Sequence, residues 1–209
     1  AVGHALFKSL LFLVVGYYIS RRGSRDLYRM AAGGPVPPAG SATGGTALLP
    51  PILLLSGAAA IAGVPPFTGF VSKSLIGVAM KGSPFYTILR IVAVGTAASF
   101  IKLCFFLLPA ATAATRSASR RDTVPGELLM LTGMAGLALL ALFLGLFPGL
   151  VLTGMASIGL GTSVDPGAPE LYTPRVIGES LIVLLLGGVL FFLLRSGPGR
   201  RHLSRARAR

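Results

Sequence analysis

Apolar residues in this chain come in blocks long enough to cross a bilayer, separated by short stretches of glycine, proline and charge. Five spanning helices are predicted on that pattern: Val2 to Ser20, Ala47 to Met80, Phe85 to Leu108, Leu128 to Phe147, and Val176 to Leu194. The second block is too long for one straight crossing at a rise of about 1.5 Å per residue. It is broken by Pro65 and Pro66, and its last stretch, Val71 to Met80, is too short to cross alone. An interrupted, partly unwound single pass fits both facts. The fold class expected is therefore all-α, a polytopic transmembrane bundle with about five spans, one discontinuous at Pro65-Pro66.

Loop charges test the count, because Lys and Arg collect on the cytoplasmic side of a membrane. Arg21, Arg22, Arg25 and Arg29 follow the first span, only Lys81 the second, and Arg116, Arg120 and Arg121 the third. Asp165 and Glu170 lie after the fourth, with Arg175 at the end of that loop, and six arginines crowd the end of the chain between Arg195 and Arg209. The alternation is unbroken with five passes. Treating Pro65 and Pro66 as the turn of a hairpin would put one arginine-rich loop on the wrong side. Residues 1–195 are thus read as the membrane region and 196–209 as a basic tail, with the C-terminus cytoplasmic in a multi-pass protein of the plasma membrane.

Composition agrees. Apolar residues make up 53% of the 209 and charged ones 12%, with a mean hydropathy of +0.79, far from the make-up of a water-soluble domain. The net charge of +13 comes from 19 Lys and Arg against 6 Asp and Glu. A basic run directly after an apolar span points to anionic lipid as its partner and not to nucleic acid. Cys104 is the lone cysteine, which leaves no intramolecular disulfide and no cysteine-based zinc or iron–sulfur centre, and no cofactor is expected. Ala1 already lies in an apolar helical pattern without the features of a signal peptide, so further helices are expected to precede it. Met30 to Thr46 reads as a flexible connection; Leu150, Val151, Met155 and Ile158 could make a short interfacial helix, although the glycines around them oppose it.

Candidate chemistry sits where charge interrupts the apolar blocks. His4 and Lys8 are four apart and share one helix face. A lysine inside an apolar helix costs roughly 2.5 to 3.5 kcal/mol at the centre, so it either serves a pathway or snorkels to an interface. Lys73 follows the break at Pro65, Pro66 and Gly69, where unwound backbone offers carbonyls and space for water beside the ammonium. Lys102 lies about four turns into the third span and either extends a polar line or snorkels inward. Arg90 reads as interfacial, and Glu179 as a carboxylate balancing the positive end of a helix. Tyr17 and Tyr18 read as part of an interfacial aromatic belt. No Ser-His-Asp arrangement, phosphate loop, paired carboxylate or cofactor fingerprint is present, and His202 has no partner at ligand spacing.

Two segments carry a resemblance: Gly3-His4-Ala5-Leu6-Phe7-Lys8-Ser9-Leu10-Leu11-Phe12-Leu13 with the later Arg25-Asp26-Leu27, and Ala62-Gly63-Val64-Pro65-Pro66-Phe67-Thr68-Gly69-Phe70-Val71-Ser72-Lys73. Together they resemble the antiporter-like proton-pumping subunits, which include large membrane-arm subunits of respiratory complex I, subunits of membrane-bound hydrogenases, and large subunits of multi-subunit Na⁺/H⁺ antiporters. The resemblance covers about the first 110 residues. It implies two inverted repeats of five helices, each with a discontinuous helix, of which this chain is similar to the latter part of the second repeat plus C-terminal helices. By that likeness Lys8 is the central-axis lysine, His4 the histidine one turn before it, and Lys73 the lysine of the broken helix. The implied function is proton translocation as a non-redox subunit of an NADH:quinone oxidoreductase or a related hydrogenase, with other membrane subunits as partners. The alternatives are a Na⁺/H⁺ antiporter subunit, which shares these motifs, and a non-transporting structural subunit. The chain departs from the family in lacking the first repeat with its glutamate–lysine pair, and in a connection at Ala31 to Thr46 richer in Gly and Pro.

Overall fold

The computed structural model describes residues 2–22, 25–26, 49–116, 126–150, 153 and 171–196. Within them the helices are α1 (Val2–Arg22), α2 (Leu49–Ala62), α3 (Thr68–Ala79), α4 (Pro84–Arg116), α5 (Glu127–Leu146) and α6 (Pro174–Ser196), with no strand among the described residues. The predicted connection at Met30 to Thr46, nearly all of the Gly149 to Pro169 stretch and the tail beyond Ser196 lie outside the described residues.

Helix boundaries follow local chemistry. Pro84 and Pro174 open α4 and α6 at the first helical position, where a missing N–H costs nothing. The hydroxyl before each accepts a free amide of the first turn, Ser83 Oγ from Phe85 N and Thr173 Oγ1 from Val176 N, both at 3.3 Å. Pro50 and Pro51 sit in the first turn of α2 for the same reason. The third predicted span, expected to end at Leu108, continues as helix through Pro109 to Arg116.

Among the described residues four helices are long and apolar enough to cross a membrane: the stretches Val2–Ser20, Pro84–Leu108, Leu128–Leu146 and Pro174–Ser196. The remaining pass is built from two short pieces. At 14 and 12 residues, α2 and α3 measure about 21 and 18 Å, each short of a hydrocarbon core of about 30 Å.

Packing shows that the two pieces run on in one direction. Leu53 and Leu54 of α2 share a core cluster with Leu107 of α4. Further along, Ala62 and Gly63 face the same cavity as Ala93 and Thr96, and Gly77 of α3 approaches the Tyr86 ring. So α2 and then α3 descend beside one antiparallel α4. Helix α1 is antiparallel to them as well: Gly57 packs on Leu10 and Leu11, while Thr68 and Ser72 pack on Gly3. By contrast α4 and α6 run parallel, with Arg90 beside Glu179, Ala97 beside Gly187, and Phe105 beside Phe191. Only one interrupted pass between α1 and α4 gives these directions; a hairpin at Pro65-Pro66 would have reversed them.

The inner core joins Leu10, Leu11, Val14 and Tyr18 of α1 to Leu53 and Leu54, to Leu107, and to Leu131 and Met134 of α5. Outward faces are equally apolar: Leu129, Leu139, Ile91, Leu185 and Leu193 are exposed, as lipid-facing residues of a bundle are. Tyr18, near the end of its span, turns inward. It is 5% exposed and packed inside the bundle, with its ring edge-on to half-buried Tyr17, because position 18 continues the 7, 11, 14 face that α1 turns toward α2 and α5.

Candidate ion path at the helix break

The break begins with a helix stop written in the backbone. Val64 N donates to Ala59 O (2.9 Å) and Gly63 N to Ala60 O (3.2 Å), the paired bonds of a Schellman motif, with Gly63 in the left-handed region at φ 87°. That motif satisfies the Ala59 and Ala60 carbonyls and leaves the last ones of α2 open. The Ala62 carbonyl receives a side chain instead: Lys73 Nζ donates to it at 2.9 Å from across the break. A cation is favoured there because the C-terminal end of a helix carries partial negative charge. Space is tight, since a Cβ on Gly63 would lie 2.9 Å from Lys73 Cδ.

Between the two helices, residues 64–67 turn with Phe67 N bonded to Val64 O (3.1 Å), and the Pro65-Pro66 bond is cis. Glycines let other elements press on this turn. A Cβ on Gly69 would overlap the Ala60 carbonyl oxygen, so α3 starts hard against the end of α2. Another on Gly145 would overlap Pro66 O, so the end of α5 lies on the turn itself. Tyr172 closes the packing: its hydroxyl donates to Gly145 O, and its ring lies 5.2 Å from that of Phe70. The break is thus a packed feature held from several sides, with the irregular residues 64–67 half-buried between α2, α3 and the end of α5.

Beside it opens a cavity of about 350 Å³ between α3, α4 and α6. Its inner end is Ala62, Gly63 and Lys73, and its outer end is Lys81, in the turn before α4, with Arg175 at the start of α6. Midway, Arg90 of α4 pairs with Glu179 of α6; they are 31% and 34% exposed. Arg90 Nη1 also donates to Glu179 O (3.3 Å), and Arg90 Nε and Nη2 donate to Tyr86 Oη (3.1 and 2.6 Å). Tyr86 in turn donates to Glu179 Oε2 at 3.2 Å, while Arg175 Nε lies 3.5 Å from Oε1. Glu179 is the one carboxylate among the described residues lining the cavity, against Lys73, Lys81, Arg90 and Arg175.

The residues singled out in the sequence fall in three places. Lys73 stands at the break with Pro65, Pro66 and Gly69, as expected, although its acceptor is the end of α2 and not the unwound segment. His4 and Lys8 share one flank of α1 and are exposed there; His4 packs edge-on to the Phe7 ring at 5.1 Å, and Lys8 Nζ lies 5.8 Å from the Phe12 ring. Neither lines the cavity that holds Lys73. Lys102 is half-buried on α4, also away from that cavity.

In the sequence Arg90 and Glu179 stand apart, an interfacial cation and a helix-end carboxylate. The structure pairs them across α4 and α6, which make the most extensive helix pair among the described residues. A signal existed: each lies within the first two turns of its span, the two are opposite in charge, and each has a partner four residues earlier, Tyr86 and Arg175. Among the described residues no three His, Cys, Asp or Glu side chains gather as metal ligands would. Comparison with protein-family models, curated proteins and solved structures finds no match to this chain.

Proposed function

We propose that this chain is a proton-translocating membrane subunit, in which Lys73, His4 and Lys8 carry the proton and neighbouring subunits of a redox-driven complex drive it. The observation that carries this reading is the Lys73 ammonium held on an open helix-end carbonyl at the inner end of a cavity. A lysine so placed can exchange its proton with cavity water and be drawn back by a single hydrogen bond, and lysine, unlike arginine, can change its charge state on burial. By the loop charges, the Lys81 end of the cavity opens opposite the arginine-rich cytoplasmic side. His4 and Lys8, exposed on one flank of α1, form the second part of the relay.

A structural reading takes the same Lys73 bond as a staple between two half-helices, and the two part cleanly in experiment. The full chain with its assembly partners, reconstituted into liposomes containing a pH-sensitive dye, is compared with its Lys73→Ala variant. The relay reading expects intact assembly and at least tenfold slower proton movement. Loss of assembly first, or unchanged flux, contradicts it. Repeating the assay with an imposed sodium gradient separates proton pumping from Na⁺/H⁺ exchange.

A further inference from the structure

The cavity runs from Lys73 to Lys81 and Arg175, and among the described residues that line it one is a carboxylate. We infer that Glu179 is the proton acceptor between Lys73 and the outer end of the cavity, with Arg90 as the positioning residue that holds it; this deepens the relay reading and rests on it.

Several observations converge on Glu179. It lines the same cavity as Lys73, and among the described residues there it alone is a carboxylate. It is about two-thirds buried, so it is not a surface acid in free exchange with bulk water. Its partners lie on two helices: Arg90 and Tyr86 on α4, Arg175 on α6. A cavity of about 350 Å³ has room for on the order of ten waters at roughly 30 Å³ each.

The step balances without a redox partner. An N–H bond of the Lys73 ammonium breaks, a cavity water passes the proton along, and an O–H bond forms on Glu179, leaving a neutral amine on the Ala62 carbonyl and a neutral acid beside Arg90. Protonation removes the charge that binds Arg90, so the guanidinium falls back on the Tyr86 hydroxyl, where two of its nitrogens already donate. Arg175, mostly exposed at the edge, then favours release of the proton outward and restores the carboxylate. The charged and titratable groups lining the cavity around Glu179 are Lys73, Lys81, Tyr86, Arg90 and Arg175, so all the others that carry charge near neutral pH are cations.

The test uses the full chain with its assembly partners in proteoliposomes, with proton flux measured over a pH series for the parent, Glu179→Gln, Glu179→Asp, Arg90→Gln and Lys73→Ala. Glutamine keeps the size and can still accept from Arg90 but cannot carry the proton, so flux falls at least tenfold. Aspartate restores part of it, and Arg90→Gln moves the pH of half-maximal flux, which a merely structural pair would not do. Parental flux and an unshifted profile in Glu179→Gln, with Lys73→Ala inactive, would overturn the role of Glu179 and leave the relay standing. Parental flux in Lys73→Ala would overturn the relay itself. Where Glu179→Gln fails to fold, the double variant Arg90→Gln/Glu179→Gln removes both charges together; loss of flux from a folded double variant supports the inference, and parental flux contradicts it.

Discussion

Lys73 Nζ donates a 2.9 Å hydrogen bond to the Ala62 carbonyl, and by it the second half-helix of the broken pass reaches back to close the end of the first. Eleven residues separate the two along the chain, and between them lies a turn whose position is set by packing from α1, α5 and Tyr172. The lysine is therefore held by backbone geometry, and that geometry depends on a few glycines.

Gly63→Ala tests the first of them. The new Cβ meets both a φ of 87° and the Lys73 side chain at 2.9 Å. A left-handed alanine costs roughly 1–2 kcal/mol, so thermal unfolding in detergent shifts downward by a few degrees. The same change pushes the ammonium off its carbonyl, and under the proposed relay it slows proton flux as well.

Gly69→Ala is expected to be worse than Gly133→Ala by about 2 kcal/mol or more. At 69 the methyl runs into backbone, which cannot give way as a side chain can; at 133 nothing lies within 4 Å. Gly133→Ala is neutral or slightly stabilising, because alanine is the better helix former. Equal unfolding temperatures for the two variants would contradict the close approach of α3 to Ala60.

Arg90 and Glu179 are expected to be coupled. Removing either alone strands the other partly buried charge and destabilises by about 1–3 kcal/mol, a figure discounted for their one-third exposure. Removing both costs less than the sum. A double-mutant cycle on unfolding measures this directly, and strict additivity would place the two side chains apart.

Tyr172→Phe loses the bond to Gly145 O and is expected to cost about 1 kcal/mol. Burial pushes the Tyr172 phenol above its ordinary value near 10. The folded form thus keeps its proton at pH values where the unfolded chain has lost it. Stability from this group is complete below pH 10 and declines above it, a decline that the phenylalanine variant lacks.

How much of this can be read from residues alone differs from one part to the next. The broken pass is legible because Pro65, Pro66 and Lys73 are each costly within an apolar block, and loop charges exclude the hairpin. The Ala62 acceptor is not, since it depends on where the turn points α3. Gly63 does carry the sign of a helix stop, a glycine with proline two residues on. Arg90 and Glu179 are 89 residues apart, and only the parallel register of α4 and α6 makes them level. Nearness to a span end suggests an interfacial Tyr18, whereas its face on α1 decides its burial. Spacing puts His4 and Lys8 correctly on one face, but a face has no meaning until its neighbour is known.

If Lys73 is a relay lysine, position 73 lies in a wet gap at the break, reached from one side through the cavity. The reaction of Lys73→Cys with a small membrane-impermeant thiol reagent in proteoliposomes tests this, in a Cys104→Ala background with Lys81→Cys as reference. Labelling is expected only from the side that labels position 81, and at least tenfold more slowly than at 81. Labelling as fast as at position 81, labelling from both sides, or no labelling at all would contradict it.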